Sequence, residues 1–488
     1  MVRIVLTLVL LNFGFLLSAQ IQFLKIYSDV GFEKGEGITQ LSDSSYLVTG
    51  SSTSFGDGPP QAFLMKLDSL GNHLWAKHYG GIEVNEGKRV FAIENYGYFV
   101  GGNTNSNVSA DFNFYFVKTD MNGDPLFEKQ VGTPAWDFVN DGIMLADSTF
   151  ILTGETYNTP DGEEDAYTVR FKNNGDTLWT SQSHKPGIDK IYAAETVGDT
   201  AFVLAGTVWN EDSLAQKAFL GMYRYDKSII WEKEYGITGD FEIKDIELWN
   251  NVLYCVGNRI LIADSLHDEY VLRVNLLGDT LTSYSYLGSS DKSMNKLVKY
   301  GNTNNFYISI SFIDQYSYGS GDDIFIAKYT DFFAYDYSGV QFKANGQDDV
   351  GDLIKTIDGG AILVGTNRSL GNGNANVFIL KIGLNNSYPN TTSIPIVNSL
   401  VQIEEKEIVI GNNKIYPNPT KGILKVIENL PEGELRVINT LGQLKKSLLI
   451  SNDTDTIDIS DLESGFYHFQ LVLKNGECYF LGKISKQQ

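Results

Sequence analysis

Cysteine, histidine, basic residues and long apolar runs are all scarce in this chain, and each scarcity removes a class of function. Two cysteines among 488 residues, Cys255 and Cys478, are too few for a disulfide framework or a thiolate metal cage. Cys255 lies in the apolar run Val252-Leu253-Tyr254-Cys255-Val256, which reads as a buried thiol. The five histidines, His73, His78, His184, His267 and His468, are scattered without an H-E-x-x-H spacing. No G-x-S-x-G elbow and no phosphate-cradling loop occurs. Lysine and arginine total 38 against 60 acidic residues, a formal charge of −22, which speaks against nucleic acid as a partner. Beyond the first twenty residues no stretch approaches the roughly eighteen apolar residues of a membrane helix, so no transmembrane segment is expected in the mature protein.

Aromatics and glycine are abundant instead, with 27 Tyr, 28 Phe and 48 Gly, a mixture that favours strands and tight turns. A short apolar run ending in glycine recurs at Leu47–Gly50, Phe99–Gly102, Ile151–Gly154, Val203–Gly206, Tyr254–Gly257 and Ile362–Gly365, with a degenerate copy at Tyr307–Ser309. The spacings are 52, 52, 52, 51, 52 and 56 residues. A second marker keeps the same beat, as in Phe63-Leu64-Met65-Lys66-Leu67-Asp68 and Phe116-Val117-Lys118-Thr119-Asp120. Each unit reads as four short strands parted by Gly, Asn and Asp turns, and a period near fifty with that content predicts a β-propeller. The seventh unit lacks a fourth strand, whereas Ile21–Tyr27 matches the fourth strands of other units, so the N-terminal strand is expected to complete the last blade. Seven blades is the reading; six with a stray pair of strands is the alternative. Unit one, with Thr53, Phe63, Lys66, Asp68, Gly71 and Trp75, resembles bacterial β-propeller repeat proteins, a likeness that implies architecture only.

Both ends read as addresses. Met1-Val2-Arg3 followed by the apolar stretch from Ile4 to Leu17 has the layout of a signal peptide, with cleavage expected between Ala19 and Gln20. Near the other end come Tyr416-Pro417-Asn418-Pro419-Thr420-Lys421-Gly422, then Leu441-Gly442-Gln443, then Leu462-Glu463-Ser464-Gly465-Phe466-Tyr467. Their order and spacing resemble the type A C-terminal sorting domain of the type IX secretion system. The resemblance implies delivery to the cell surface or medium, with the type IX translocon and a sortase as partners. Its signal residues here are Pro417, Asn418, Pro419, Gly422, Gly442, Gly465 and Tyr467; the two prolines fix an extended entry and the glycines Gly422 and Gly465 permit tight turns. The expected organisation is signal peptide 1–19, β-propeller 20–384, linker 385–411, with one possible strand at Val401–Ile410, and a small Ig-like β-sandwich sorting domain 412–488. The fold class is all-β.

For the propeller's chemistry, Glu36, Glu86, Asp141, Asp245, Asn295 and Asp352 recur near the start of the innermost strand in six units, while unit four breaks the series with Asp189-Lys190. Aligned as a ring at one mouth of the channel, their oxygens would suit calcium, or else cap backbone donors between blades. No other cofactor is implied. Asn113, Asp165, Asp268, Asp323, Asn376 and Gln61 recur ahead of the second marker and read as turn residues. Tyr157, Trp209, Tyr316 and Tyr318 are aromatic candidates for stacking on sugars or between blades. The reading is an exported binding or adhesion module for glycan or protein. A secreted enzyme acting on polysaccharide through paired carboxylates in the channel, or a structural component of the cell surface, is the alternative.

Overall fold

The computed structural model describes residues 22–29, 31–55, 58–81, 83–93, 96–106, 111–159, 163–183, 187–261, 266–286, 291–300, 305–313, 322–330, 333, 335–342, 348–368, 374–383, 396–398, 415–426, 432–439, 444–451, 454–473 and 478–487. The leader with its Ala19–Gln20 cut, Val401–Ile410 and Gly442 lie outside the described residues. Among the described residues every long element is a strand and none is a helix. The chain divides into two compact units, residues 1–400 and 401–488.

Among the described residues the first unit holds seven sheets in chain order, antiparallel but for one strand of the seventh. The first sheet comprises Glu33–Gln40, Tyr46–Ser52, Gln61–Leu67 and His73–Tyr79. The second comprises Asn85–Ile93, Gly97–Thr104, Asn113–Thr119 and Pro125–Val131. Sheets three to six repeat the plan across 137–182, 190–235, 240–286 and 292–342. The seventh joins Asp349–Lys355, Ala361–Asn367 and Asn376–Ile382 to the N-terminal strand Phe23–Ser28, which pairs antiparallel with Asn376–Ile382. Ile396–Asn398, inside the stretch read as linker, adds a fifth strand parallel to Phe23–Ser28.

Burial explains the sequence pattern within each sheet. The second and third strands pack on both faces, so Tyr46–Ser52 and Asn376–Ile382 are buried throughout. The fourth strand lies outermost, and Pro125–Val131 is correspondingly exposed at most positions. Each pair of consecutive sheets shares one core: Phe63, Val48 and Ile38 of the first meet Val364, Val377 and Tyr27 of the seventh. Leu64 and Tyr79 of the first meet Val100, Tyr115 and Val117 of the second. The same pairing of cores runs from sheet to sheet around the unit.

Outer strands are tied to the next sheet by a recurring tyrosine. Tyr79 donates from its hydroxyl to the Gly123 carbonyl at 2.8 Å, and Tyr235 to Gly278 at 2.8 Å. Tyr27 of the N-terminal strand does the same to Gly71 at 2.6 Å, joining the last sheet to the first. Two residues earlier stands a lysine: Lys25 donates to Asn72 at 2.7 Å, and Lys77 and Lys233 pair with Asp124 and Asp279. The motif Lys-x-Tyr at the strand end is thus a latch.

In the second unit, a three-stranded sheet (Ile415–Tyr416, Ile423–Val426, Thr456–Asp458) and a four-stranded one share a core. The larger sheet runs in the order Leu444–Ile450, Gly433–Asn439, Gly465–Leu473, Cys478–Lys486. Leu424, Leu435, Val437, Ile457, Phe469 and Ile484 fill the core.

Candidate functional site

Every innermost strand of the first unit carries a β-bulge at the same place, at Glu36, Lys88, Asn140, Tyr192, Lys244, Asn295 and Gly351. The repeat's glycine sits on the neighbouring strand opposite this distortion. A Cβ at Gly50, Gly102, Gly154, Gly206 or Gly257 would stand 1.7–2.0 Å from an innermost-strand carbonyl oxygen, so any side chain there would break the pairing. The extra residue also re-aims the side chains that follow it, and these build the middle of the unit.

The residue after the bulge is Gly37, Arg89, Asp141, Ala193, Asp245, Lys296 and Asp352 in turn. Three aspartates at this level each accept from a backbone N–H two residues past the bulge of another sheet: Asp141 from Ala194 at 2.8 Å, Asp245 from Leu297 at 2.9 Å and Asp352 from Ile38 at 3.4 Å. The Arg89 guanidinium pairs with Asp141 and with Asp352, the latter at 2.5 Å. Gly37, whose Cβ would lie 3.2 Å from the Arg89 Cα, leaves the first sheet without a side chain at this level. Lys296 lies 3.4 Å from Asp245. Burial pushes Asp245 up to about 6 although Lys296 pulls the other way.

The six residues read as one ring therefore occupy three levels. Asp141, Asp245 and Asp352 share the level above; Glu36 and Asn295 are bulge residues; Glu86 lies two positions before its bulge. Glu36 and Glu86 both pair with Lys88, at 2.9 and 3.8 Å, and Asn295 donates to Ser311 at 2.7 Å. Burial depresses the Lys88 ammonium, but Glu36 and Glu86 outweigh it and hold the group above its ordinary value. Among the described residues no group of three or more His, Cys, Asp or Glu is placed to hold a metal ion. The bulge falls at the same repeat position in every strand, so the three levels reflect offsets already present in the sequence, where the six residues stand at different places within the repeat.

Two further positions past the aspartate level lie Glu195 and Glu247, which sequence reading passed over. Burial pushes Glu195 up to about 7, with Asp245 and Asp141 adding to it. Glu247 rises to about 8, through burial and then the charges of Glu195 and Asp245. Their only sequence signal is a carboxylate inside a strand where other sheets carry Thr39, Phe91, Ile143, Val298 and Ile354.

At the opposite end of the inner strands an aromatic cluster stands beside polar side chains. Phe112, Trp136, Phe138 and Tyr157 meet with ring centroids 5.0–6.5 Å apart. Trp136 is 50% exposed, and its indole N–H donates to Asp111 at 3.0 Å. The Tyr157 hydroxyl donates to Glu164 at 3.0 Å, and Glu164 pairs with Lys190 at 2.9 Å. Asn140 donates to Glu155 and to the Ile191 carbonyl, and Lys244 pairs with Glu242 at 3.0 Å while lying 3.6 Å from the Tyr192 ring centroid. A hydrophobic platform with one exposed indole is thus bordered by amides and ion pairs. Of the other aromatic candidates, Trp209 packs against Gly187, and Tyr316 and Tyr318 lie outside the described residues.

The remaining candidates have structural partners. Gln61 donates to the Glu83 carbonyl at 2.9 Å, in the loop leading into the second sheet, and Asp165 accepts from Gln182 of the neighbouring strand at 3.1 Å. His78 stacks on Phe55, His267 bonds Asp291 at 2.8 Å, and burial lowers His73, so these three stand apart. Cys255 is buried and its thiol raised by burial.

In the second unit, Asn418 accepts from the Ser485 N–H at 2.9 Å, and Thr420 exchanges backbone bonds with Ser485 and Gln487. The Tyr-Pro-Asn-Pro segment is in this way pinned to the last strand. Gly422 has φ +139°, and a Cβ there would lie 2.6 Å from the Ser460 Cα. Gly465 is different: it begins a strand, and a Cβ there would meet nothing nearer than 3.9 Å. Backbone geometry accordingly requires glycine at 422 and not at 465, a correction to the tight-turn reading. Tyr467 donates to the Glu463 carbonyl at 2.8 Å.

Residues 414–481 match the secretion system C-terminal sorting domain family. Among curated proteins none matches the chain in sequence. Similar solved structures include Sqt1 from Chaetomium thermophilum, at 12% identity and TM-score 0.43 over 76% of this chain and 86% of that one. Another is the β-propeller domain of the Trilobed protease from Pyrococcus furiosus, at 8% identity and TM-score 0.41 over 77% and 99%. A third is Drosophila Semaphorin 1b, extracellular domains 1–2, at 8% identity and TM-score 0.42 over 74% and 87%.

Proposed function

We propose, from a C-terminal stretch that is a secretion system sorting domain, that this chain is a cell-surface or secreted glycan-binding module exported by the type IX route. The sorting domain implies that export; the finer organisation is our reading. A signal peptide at 1–19 is removed, a seven-bladed β-propeller at 20–384 is the exported body, and 385–411 links it to an Ig-like sandwich at 412–488. A sortase removes that sandwich at the surface. Pro417, Asn418, Pro419, Gly422, Gly442, Gly465 and Tyr467 form the signal read by the translocon.

One observation carries the binding role: the half-exposed Trp136, anchored by Asp111 within a four-ring cluster and bordered by Asn140, Glu155, Glu164 and Lys190. Sugar rings offer an apolar face of C–H groups and a rim of hydroxyls, and an aromatic face next to charged and amide groups matches both. Calcium has no part in this reading, since Asp141, Asp352 and Asp245 are engaged by Arg89 and Lys296.

The test is a glycan array probed with the purified chain, followed by titration of the best hit. Trp136→Ala is expected to weaken binding about tenfold, the order of one aromatic contact. Undiminished binding by that variant would move the site away from this mouth, and no saturable glycan binding would sink the reading. The enzyme alternative draws on Glu195 and Glu247, whose raised carboxyls suit proton transfer near neutral pH. Cleavage of an arrayed polysaccharide would transfer the assignment to it.

A further inference from the structure

The interface between the third and fourth sheets departs from the repeat at several positions at once, and a cavity of about 280 Å³ lies there. Residues 104 apart are equivalent, as Trp75 and Trp179 show. By that rule Ser181 and Ser183 stand where the first sheet has the latch pair Lys77 and Tyr79. Phe219 replaces Tyr115, whose hydroxyl bonds Glu128 in the second sheet, and Thr168 replaces Leu64. Lys227 takes the place of Gly123 and holds the left-handed φ of +66° that glycine fills at 71, 123, 175 and 278. A lysine in that conformation is less favourable than glycine, so the turn has not simply kept its easiest residue. All five of these positions line the space: Ser181, Ser183, Thr168, Phe219 and Lys227 are joined by Trp179, Phe202, Tyr223 and Glu232.

The cavity is therefore the outline of the missing tyrosine. In the first sheet the Tyr79 ring fills the equivalent volume, packed among Val90, Tyr98, Val100 and Tyr115, with its hydroxyl on the Gly123 carbonyl. At the third sheet the surrounding shell is kept. Ala166 retains the small partner that Ala62 gives Tyr79 and Ala218 gives Tyr235. Trp179 and Tyr223 flank Phe202 in a stacked array, with centroids 6.3 and 5.6 Å from it. The Tyr223 hydroxyl donates to Glu232 at 2.7 Å, which fixes that wall. Gly221 makes room for it, since a Cβ there would lie 2.5 Å from the Tyr223 hydroxyl.

We propose that this inter-sheet cavity binds a phenol ring, free or as a tyrosine side chain, in the place the repeat fills with its own tyrosine. The ring lies against Phe202 and Phe219, and its hydroxyl donates toward the Lys227 carbonyl, the counterpart of Gly123. At about 280 Å³ the space falls just below the ~300–1,000 Å³ of drug-sized sites, which suits a single ring. This site is separate from the aromatic mouth around Trp136, and neither depends on the other.

The experiment titrates the full chain with p-cresol and, separately, with N-acetyl-tyrosinamide, by calorimetry. In parallel, crystals of the full chain are soaked with 4-bromophenol and the bromine is located by anomalous scattering. Saturable binding is expected, with bromine between the third and fourth sheets. Ser183→Tyr, which restores the repeat's residue, is expected to weaken binding at least tenfold while keeping the native circular dichroism spectrum. Tighter binding of p-cresol assigns a free phenol; tighter binding of the tyrosinamide assigns a tyrosyl side chain. Equal binding by wild type and Ser183→Tyr, a non-saturating titration, or bromine found only elsewhere would overturn the proposal. Should Ser183→Tyr fail to fold, the bromine position decides.

Discussion

At the scale of single residues, Glu247 is the clearest case of a group whose protonation feeds back on folding. Its carboxyl rises from an ordinary 4.5 to about 8, mostly through burial. Between those values the folded chain binds more protons than the unfolded one, so this group lowers stability as pH climbs from about 4.5 to about 8. Below that window both states are protonated and the penalty vanishes. Glu247→Gln should therefore leave the Tm nearly unchanged at pH 4.5 and raise it above wild type at pH 8.5. Parallel Tm-versus-pH curves for the two proteins would show that the carboxyl is not raised. Arg89 illustrates the opposite arrangement: its charge sits between Asp141 and Asp352, which are also hydrogen-bonded to backbone. Buried carboxylates satisfied in this way serve the architecture of the repeat. Sequence could nominate Asp141, Asp245 and Asp352 as a recurring set; it could not show that an arginine from another sheet would occupy the space between two of them.

At the scale of elements, the N-terminal strand Phe23–Ser28 is the most consequential, because it forms the outer strand of the seventh sheet and latches to the first through Tyr27 and Lys25. Removing residues 20–28 should expose Asn376–Ile382 as an unpaired, buried-type edge and leave the Tyr46 side of the core open. The expected result is a large loss of thermal stability with aggregation on heating, read by scanning calorimetry and light scattering. A truncated chain that melts like wild type would mean the strand is dispensable. The likeness of Ile21–Tyr27 to the fourth strands of other units made this strand's place legible in the sequence, and Lys25 and Tyr27 make the contacts that Lys77 and Tyr79 make elsewhere. The inner strands were less legible. Glu36 and Asn295 stand at the bulge and Asp352 one residue after it, so a set that looks equivalent in sequence falls on different levels, and no shared residue type marks the bulge.

At the scale of the whole molecule, two units of different purpose share one chain. The sorting domain match at 414–481 concerns delivery, and its loss should be felt in location rather than in the fold of the first unit. A chain lacking residues 412–488 is expected to accumulate in the periplasm, measured by cell fractionation; normal surface display would refute the sorting role. What the sequence determined by itself was periodic and local: the glycine beat near 52 residues, the turn chemistry, the all-β class and the ordered motifs of the tail. These are legible because each rests on contacts within a few residues or on identical contacts repeated from unit to unit. Tertiary structure alone decided which side chains meet in the middle and where the repeat is left unfilled. The Arg89 bridge, the raised Glu195 and Glu247, and the cavity behind Ser183 each depend on residues from two or more sheets. Their packing is set by three-dimensional register, and a linear reading carries no record of it.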